Sequence, residues 1–140
     1  MSDERLILLV EDNPDDEALA RRALKKGVPR SRVEVARDGE EACQVLFERD
    51  LSPNLILLDL KLPKLNGFEV LKRIRAEERT RLIPVVILTS SKQDRDLAEG
   101  YSLGCNSYIA KPIDFREFAE VIRQLGEYWL DTNQPPPRKA

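Results

Sequence analysis

The chain has 140 residues, of which 41% are hydrophobic and 34% are charged, and its formal net charge is −2 at pH 7. This length and composition predict one soluble globular domain with a real core, and they exclude a largely disordered protein. With 23 Lys and Arg against 25 Asp and Glu, the chain lacks the basic excess that nucleic-acid binding needs, so no nucleic-acid partner is expected.

Five short strands are predicted, and longer helix-like segments separate them. The first, third and fourth are nearly continuous apolar runs, which is typical of buried parallel strands. The second alternates between apolar and polar residues and the fifth is mixed, as edge strands are. In chain order the predicted strands cover residues 6–10, 33–36, 55–58, 85–88 and 107–110.

The segments between the strands carry helix signals. Pro14 suits a first helical turn and Gly27 a helix end. Three later segments start with a polar residue that is followed three positions on by glutamate, which is the pattern of a capping box. These pairs are Asp38 with Glu41, Asn66 with Glu69, and Asp114 with Glu117. Ser91 with Asp94 predicts the start of a weaker helix, and Gly104 predicts its end.

The strict alternation of strand and helix predicts a flavodoxin-like, doubly wound α/β fold. Its five-stranded parallel sheet has the order 2-1-3-4-5, with helices on both faces. This order places the second and fifth strands at the edges and buries the three apolar strands. The domain is expected to span residues 1–130. Residues 131–140 form a proline-rich tail that cannot continue a helix and is expected to fray.

Two absences narrow the range of functions. No apolar stretch approaches the ~20 residues of a membrane helix, and the acidic start at residues 2–4 is unlike a signal peptide. A cytoplasmic location without a membrane partner is therefore expected. The chain contains no histidine, so it cannot itself carry a phosphohistidine, a His–Asp catalytic pair or a typical zinc site.

Three carboxylates are predicted to meet beyond the carboxyl ends of the strands, where sheets of this kind bind ligands. Glu11 and Asp12 follow the first strand, and Asp59 follows the third strand beside it. At ~6 Å and an effective dielectric constant of ~20, each pair of like charges costs about 3 kcal/mol. A hard divalent cation relieves this repulsion. Mg²⁺ suits a site with few carboxylates because it retains water and bridges to phosphoryl oxygens.

Thr89 closes the fourth strand and Lys111 closes the fifth, so both are expected to face the same pocket. Asp59 as nucleophile, a metal ion and Lys111 as positive charges, and Thr89 as a hydrogen-bond donor match phosphoryl transfer to a carboxylate. Simpler readings stay open for two of these residues. Thr89 also suits a helix cap, and Lys111 also suits a surface charge.

Four motifs at these strand ends resemble the receiver domain of two-component response regulators. The resemblance covers residues 5–125. Each motif is weak alone, whereas their order and spacing together are highly specific. The motifs are VEDN at 10–13, LLDLKLP at 57–63 with Gly67, PVVILT at 84–89 and AKP at 110–112.

The resemblance implies that Asp59 accepts the phosphoryl group and that Asp12 and Asp59 bind Mg²⁺. Glu11 then acts largely through water, the backbone carbonyl of Lys61 completes the protein ligands, and Lys111 pairs with the phosphoryl group. The peptide before Pro112 is commonly cis in such domains.

The resemblance also implies a switch. Thr89 is coupled to the aromatic residue Tyr108, whose ring moves inward when the Thr89 hydroxyl turns toward the phosphate. The alternative is that Tyr108 is an edge-strand aromatic residue without such a role.

The donor implied by the resemblance is a phosphohistidine on another chain, either a sensor histidine kinase or a histidine phosphotransfer protein. No residues are left over for an output domain, so output by protein contact is expected. No enzymatic activity is expected beyond the protein's own phosphorylation and dephosphorylation. The stretch from Pro53 to Leu60, with the late aromatic residues, is similar to single-domain regulators that partner phytochrome-type kinases.

The last predicted helix, residues 114–130, would be ~25 Å long against ~17 Å for a five-residue strand, so its end overhangs the sheet. Its apolar stripe ends in Tyr128, Trp129 and Leu130, and aromatic residues of this kind anchor interfaces. We therefore predict a homodimer through these three residues. The alternative is that Trp129 folds back over its own core.

Three other functions compete with this interpretation. A flavodoxin-like FMN protein shares the sheet, but the acidic residues 11–16 would repel the FMN phosphate. An aspartyl phosphatase usually needs an acid two residues after its nucleophile, where this chain has Lys61. A receiver-like scaffold that acts without phosphorylation would not need every motif position to be filled.

Overall fold

The computed structural model describes residues 5–112 and 114–137, which form a five-stranded parallel sheet with flanking helices. The strand order is β2-β1-β3-β4-β5, as predicted. β3 and β4 are buried along their whole length, whereas β5 is only partly buried, as a central and an edge position require. The strands are β1 (Leu6–Val10), β2 (Arg32–Ala36), β3 (Leu55–Leu58), β4 (Val85–Thr89) and β5 (Ser107–Ala110).

Five helices alternate with the strands. They are α1 (Pro14–Gly27), α2 (Gly39–Cys43), α3 (Gly67–Ala76), α4 (Asp94–Ser102) and α5 (Phe115–Glu127). The π-helical turns Gln44–Glu48 and Tyr128–Thr132 extend α2 and α5. Four helices begin with a polar side chain that accepts hydrogen bonds from first-turn amides, and these caps are Asn13, Asp38, Asn66 and Asp114. Within the described residues, no helix is both long and apolar enough to cross a membrane.

Two apolar layers flank the sheet. α1 and α5 pack on one face, where Leu24 and Ile122 are buried beside Leu9 of β1. α2 and α3 cover the other face, where Leu71 is buried beside Leu8. Successive residues of β1 supply both layers because their side chains point to opposite faces of the sheet. Because the helices cover both faces of the sheet, polar side chains meet at the carboxyl ends of the strands.

Two local expectations are wrong. α4 begins at Asp94 after Gln93, so Ser91 lies two residues before the cap position and does not cap the helix. Its hydroxyl donates to a carboxylate of the first turn and accepts from the Gln93 amide. The Lys111–Pro112 peptide is trans, as is every peptide in the described part of the chain. The trans form is intrinsically favoured by roughly 0.5–1 kcal/mol. The expected end of α4 agrees with the structure, since Gly104 has a φ of 101°, which favours glycine.

The end of α5 also differs from the sequence prediction. The π-helical turn continues to Thr132, two residues past the predicted end of the domain. Because such a turn places residues five apart on one face, Leu130 rather than Trp129 follows Leu125 into the core, and Leu130 is 4% exposed. Leu130 is therefore unable to anchor an interface. Tyr128 is 49% exposed, and Trp129 packs against the core while partly buried.

The proline-rich tail is described as far as Pro137. Pro135, Pro136 and Pro137 line a cavity of about 490 Å³ together with Pro53 and Pro84. These two prolines precede β3 and β4, so the tail runs past the amino ends of the strands, opposite the carboxylates. Residues 138–140 of the predicted tail and the acidic start at 2–4 lie outside the described residues.

Candidate functional site

The carboxyl ends of β1 and β3 bring three carboxylates together. The strands are parallel neighbours with Val10 opposite Leu58, and the Asp59 amide donates to the Val10 carbonyl at 3.1 Å. One oxygen from each of Glu11, Asp12 and Asp59 lies within 4.8 Å of the others. Asp12 is exposed, whereas Glu11 and Asp59 are buried. Two buried carboxylates this close create the need for positive charge.

The ammonium group of Lys111 lies among these carboxylates. The Lys111 amide donates to the Thr89 carbonyl at 2.7 Å, which carries the pairing of β4 and β5 past Ala110. The Nζ atom donates to Oε1 of Glu11 at 2.8 Å and to Oδ2 of Asp59 at 3.0 Å. Its side chain is only 12% exposed. Lys111 is thus a member of the pocket and not a surface charge.

A fourth carboxylate, which the sequence analysis left out of the site, completes the contacts of Lys111. Asp16 lies in the first turn of α1, and its Oδ2 accepts from Nζ at 3.0 Å. All three N–H groups of the ammonium are thereby used. A signal for Asp16 was present in the sequence. Asn13 follows the acidic pair and caps α1, so the acids in the first turn of that helix must lie near the strand ends.

Burial and charge oppose each other at Glu11 and Lys111. Burial raises the pKa of Glu11 to about 7, although the hydrogen bond and charge of Lys111 counteract this shift. Burial also disfavours the charged form of Lys111, but its contacts with Glu11 and Asp59 outweigh burial and raise the Lys111 pKa. The lysine therefore stays charged at neutral pH. One positive charge among four carboxylates leaves a surplus of negative charge, which a bound cation can neutralise.

The donor atoms of the pocket fit a small divalent cation. The side chains of Glu11, Asp12 and Asp59 offer only carboxylate oxygens, the ligands that Mg²⁺ prefers. Backbone amides orient two of these groups, since the Lys61 amide donates to Oδ1 of Asp59 and the Asn13 amide donates to Oε2 of Glu11, both at 3.2 Å. The use of the Lys61 carbonyl as a ligand stays a prediction.

The two predicted switch residues meet at a third residue, Ser91. Thr89 is fully buried, and its Oγ1 accepts from the Ser91 amide at 3.4 Å. The Tyr108 hydroxyl donates to the Ser91 carbonyl at 3.1 Å. Burial raises the pKa of Tyr108, so this hydroxyl keeps its proton. Among the described residues, no hydrogen bond joins the Thr89 side chain to Asp59. Sequence reasoning did not connect Ser91 with either switch residue.

Comparison with known proteins shows the family. Residues 7–123 match the family model for the response regulator receiver domain. The chain belongs to this receiver family. This receiver is 42% identical to the "Probable methanogenesis regulatory protein FilR2" of Methanothrix harundinacea, over 96% of its own length and 89% of that relative. It is 37% identical to the response regulator Rcp1 of Synechocystis, over 94% of its own length and 96% of Rcp1.

Solved structures agree with the predicted fold of the receiver. The Mn²⁺-bound form of response regulator Rcp1 has a TM-score of 0.88 at 36% identity, over 95% of this chain and 99% of that one. The phosphorylated cyanobacterial phytochrome response regulator RcpA has a TM-score of 0.91 at 36% identity, over 96% of this chain and 99% of that one. The flavodoxin-like fold and the family that the motifs predicted are therefore confirmed.

Proposed function

We propose that this receiver works in a two-component phosphorelay and accepts a phosphoryl group on Asp59 with Mg²⁺. The observation that carries the proposal is the position of Lys111, whose Nζ atom lies 3.0 Å from Oδ2 of Asp59 in an otherwise acidic pocket. A carboxylate attacks a phosphoryl donor only where positive charge stabilises the oxygens of the transferring group. Lys111 supplies one such charge inside the protein.

Glu11, Asp12 and Asp59 would hold Mg²⁺, with the Lys61 carbonyl as a further ligand. The bound ion would neutralise part of the negative charge on the phosphoryl oxygens. A carboxylate oxygen of Asp59 forms a bond to phosphorus while the bond from phosphorus to the donor's leaving atom breaks, which yields an acyl phosphate. Attack by water later restores the carboxylate and releases inorganic phosphate.

Lys111 and Thr89 stabilise the group that is transferred. An N–H of Lys111 that now points to Asp59 is free to donate to a phosphoryl oxygen once the Asp59 oxygen is esterified. The Thr89 hydroxyl lies at the end of β4 and turns from Ser91 to donate to another phosphoryl oxygen. Tyr108 responds to this rotation because its hydroxyl is bonded to the same Ser91 residue.

The phosphoryl donor in this proposal is a phosphohistidine of a sensor histidine kinase or a histidine phosphotransfer protein. A chain without histidine requires that such a donor lies on another molecule. The similarity to the phytochrome response regulator RcpA supports a phytochrome as the kinase. A cytoplasmic location belongs to the same proposal.

The proposed output is a protein contact without DNA binding, and a homodimer through the end of α5 is part of it. The net charge of −2 supports the first point because it provides no basic field. The half-exposed Tyr128 supports the second, since its ring packs edge-on against Trp129 at a centroid distance of 5.1 Å. The protein turns over no other substrate in this proposal, and Lys61 is a poor acid for an aspartyl phosphatase.

Intact-mass measurement with acetyl phosphate tests the proposed function. With Mg²⁺, the protein should gain the mass of one phosphoryl group, and hydroxylamine should remove it because the adduct is an acyl phosphate. Without Mg²⁺, or in Asp59→Asn, the gain should be absent. A folded protein that shows no Mg²⁺-dependent gain would instead support the phosphorylation-independent scaffold, and turnover of a phosphate monoester that Asp59→Asn abolishes would support a phosphatase.

A further inference from the structure

Ser91 uses all of its polar atoms and is hydrogen-bonded to four neighbouring residues, of which Gln93 donates its amide to the Ser91 hydroxyl oxygen at 3.3 Å. Its amide donates to Oγ1 of Thr89 at 3.4 Å, and its carbonyl accepts from the Tyr108 hydroxyl at 3.1 Å. Its hydroxyl donates to Oδ2 of Asp96, in the first turn of α4, at 2.6 Å. Ser91 is only 6% exposed, so water competes little for these bonds. One buried residue thus joins the end of β4, the aromatic residue of β5 and the start of α4.

The hydrogen bonds of Ser91 differ in strength. A hydroxyl that donates to a carboxylate at 2.6 Å forms a charge-assisted bond, which is about twice as strong as a neutral one. The bond to Thr89, at 3.4 Å, is long and therefore weak. The bond to Thr89 is therefore the first to break when the Thr89 hydroxyl rotates, and this leaves the buried Ser91 amide without an acceptor, whereas the bond from Ser91 to Asp96 holds when Ser91 moves.

Few other contacts hold α4 in place. Of its residues, all of which the structure describes, only Gly100 is buried. Leu97 and Tyr101 are 41% and 50% exposed. Gly100 approaches β5 so closely that a Cβ atom there would lie 3.2 Å from Cδ2 of Tyr108. A helix with so little buried surface can shift at low free-energy cost, and its start is held by the bond from Ser91 to Asp96.

We propose that Ser91 and Asp96 are positioning residues that transmit the phosphorylation state of Asp59 to α4. This inference rests on the proposed function. When the Thr89 hydroxyl turns toward a phosphoryl group, the buried Ser91 amide loses its acceptor, which is costly, so the Ser91 backbone moves to a new partner. The Ser91 hydroxyl draws Asp96 and the start of α4 with it. The Ser91 carbonyl draws the Tyr108 hydroxyl in the same movement.

Hydrogen exchange of the α4 amides, measured on the full chain with and without Mg²⁺ and beryllofluoride, tests the inference. Beryllofluoride is the probe because it mimics a phosphoryl group on a carboxylate. In the parent, exchange over residues 94–102 should change when the probe binds. Ser91→Ala and Asp96→Ala should each lose at least about half of that change, while calorimetric affinity for the probe stays within about twofold. Asp96→Asn keeps an acceptor oxygen and should retain most of the change.

Asp94→Ala is the matched control. Asp94 is an exposed carboxylate of the same helical turn, so its removal has the same effect on the helix dipole. This variant should keep the parent's change. If Ser91→Ala and Asp96→Ala only raise exchange in the absence of the probe and keep the probe-induced change, their role is purely structural and the inference is wrong. If Asp94→Ala loses as much of the probe-induced change in exchange as Ser91→Ala and Asp96→Ala do, the inference is also wrong.

The experiment also separates this inference from the proposed function. A parent protein that binds beryllofluoride with Mg²⁺ but shows no change in α4 overturns the role of Ser91 and Asp96 while the phosphoacceptor proposal stands. A folded parent that does not bind the probe contradicts the proposed function itself, and the inference with it.

Discussion

The ammonium group of Lys111 lies 3.0 Å from Oδ2 of Asp59, although the two residues are 52 positions apart in the chain. β4 lies between the strands that carry them, and the parallel order brings both to the same edge of the sheet. Because the same ammonium also contacts Glu11 and Asp16, three carboxylates share its single positive charge. The stability of the pocket and its reactivity toward phosphate therefore depend on one side chain.

Replacing Lys111 by methionine keeps most of the side-chain volume and removes this charge. In Mg²⁺-free buffer the free energy of unfolding should fall by about 3 kcal/mol, because buried carboxylates lose their partner. Millimolar Mg²⁺ should restore part of the loss, since the ion replaces the missing charge. Urea melts with and without Mg²⁺ measure both effects. Lys92→Met, at an exposed loop position, should change stability by less than about 0.5 kcal/mol. A loss in Lys111→Met that Mg²⁺ does not alter would contradict the metal site.

Asp16 and Asp15 provide a matched pair of carboxylates in one helical turn. Asp16 contacts Lys111, whereas Asp15 is exposed, and both backbone amides donate to Asn13. Asp16→Asn should lower the free energy of unfolding by about 1 kcal/mol, since it weakens a charge-assisted bond at a partly exposed site. Asp15→Asn should have an effect below about 0.5 kcal/mol. If urea melts give the same change in the free energy of unfolding for Asp16→Asn and Asp15→Asn, the contact between Asp16 and Lys111 makes no specific contribution to stability.

Mg²⁺ binding should depend on pH through Glu11. Its pKa is raised to about 7 in the folded protein, so the fold binds a proton that the unfolded chain has already released. This contribution to stability is fully present below pH ~4.5 and is lost as the pH rises through about 7. Mg²⁺ needs the ionised carboxylate, so its affinity should rise between about pH 6 and 8, by at most about tenfold per pH unit. Calorimetric titrations should show that the Mg²⁺ affinity of Glu11→Gln depends less on pH than that of the parent. A parent Mg²⁺ affinity that is constant over this pH range would rule out Glu11 as the titrating group.

Arg75 holds together the turns that precede β4 and β5. Its guanidinium donates to four oxygens, which are the carbonyls of Arg81, Ile83 and Gly104 and Oδ1 of Asn106. Arg75→Met should lower the free energy of unfolding by about 3 kcal/mol, because several acceptors lose their donor at once. Lys72→Met, on the same helix with only an exposed pair to Glu69, should lower it by less than about 0.5 kcal/mol. Urea melts that give similar values for both variants would disprove this role.

The proposed homodimer can be tested at the end of α5 with a control of equal exposure. Tyr128 is 49% exposed and Tyr101, on α4, is 50% exposed. If α5 forms the interface, Tyr128→Ala and Trp129→Ala should each weaken dimerisation by about tenfold in sedimentation equilibrium, as loss of an aromatic anchor does. Tyr101→Ala should leave it unchanged. A monomeric parent would end the dimer proposal, and an unchanged Trp129→Ala variant would assign Trp129 to the core alone.

Sequence reasoning succeeded where one local pattern determines the structure. Apolar runs of four or five residues specified β1, β3 and β4, and polar caps such as Asn66 and Asp114 located the helix starts. Once the strand order was deduced, parallel pairing required that residues following neighbouring strands meet at one edge of the sheet. The convergence of Glu11, Asp59 and Lys111 was therefore readable from the chain, because it depends on backbone topology and not on side-chain detail.

The features that sequence reasoning missed depend on how side chains and irregular turns pack. Nothing in the local pattern of Asp15 and Asp16 tells which of the two reaches Lys111, because that depends on how the first turn of α1 faces the pocket. The widened turn after α5 likewise buried Leu130, which was predicted to lie at an interface with Tyr128 and Trp129, since a π-helical turn shifts the buried position by one residue. The order of strands and helices thus followed from the sequence by itself. Which partner each buried polar atom takes, including the bonds of Ser91, was decided only in the tertiary structure, where distance and burial select among neighbours that the sequence leaves equivalent.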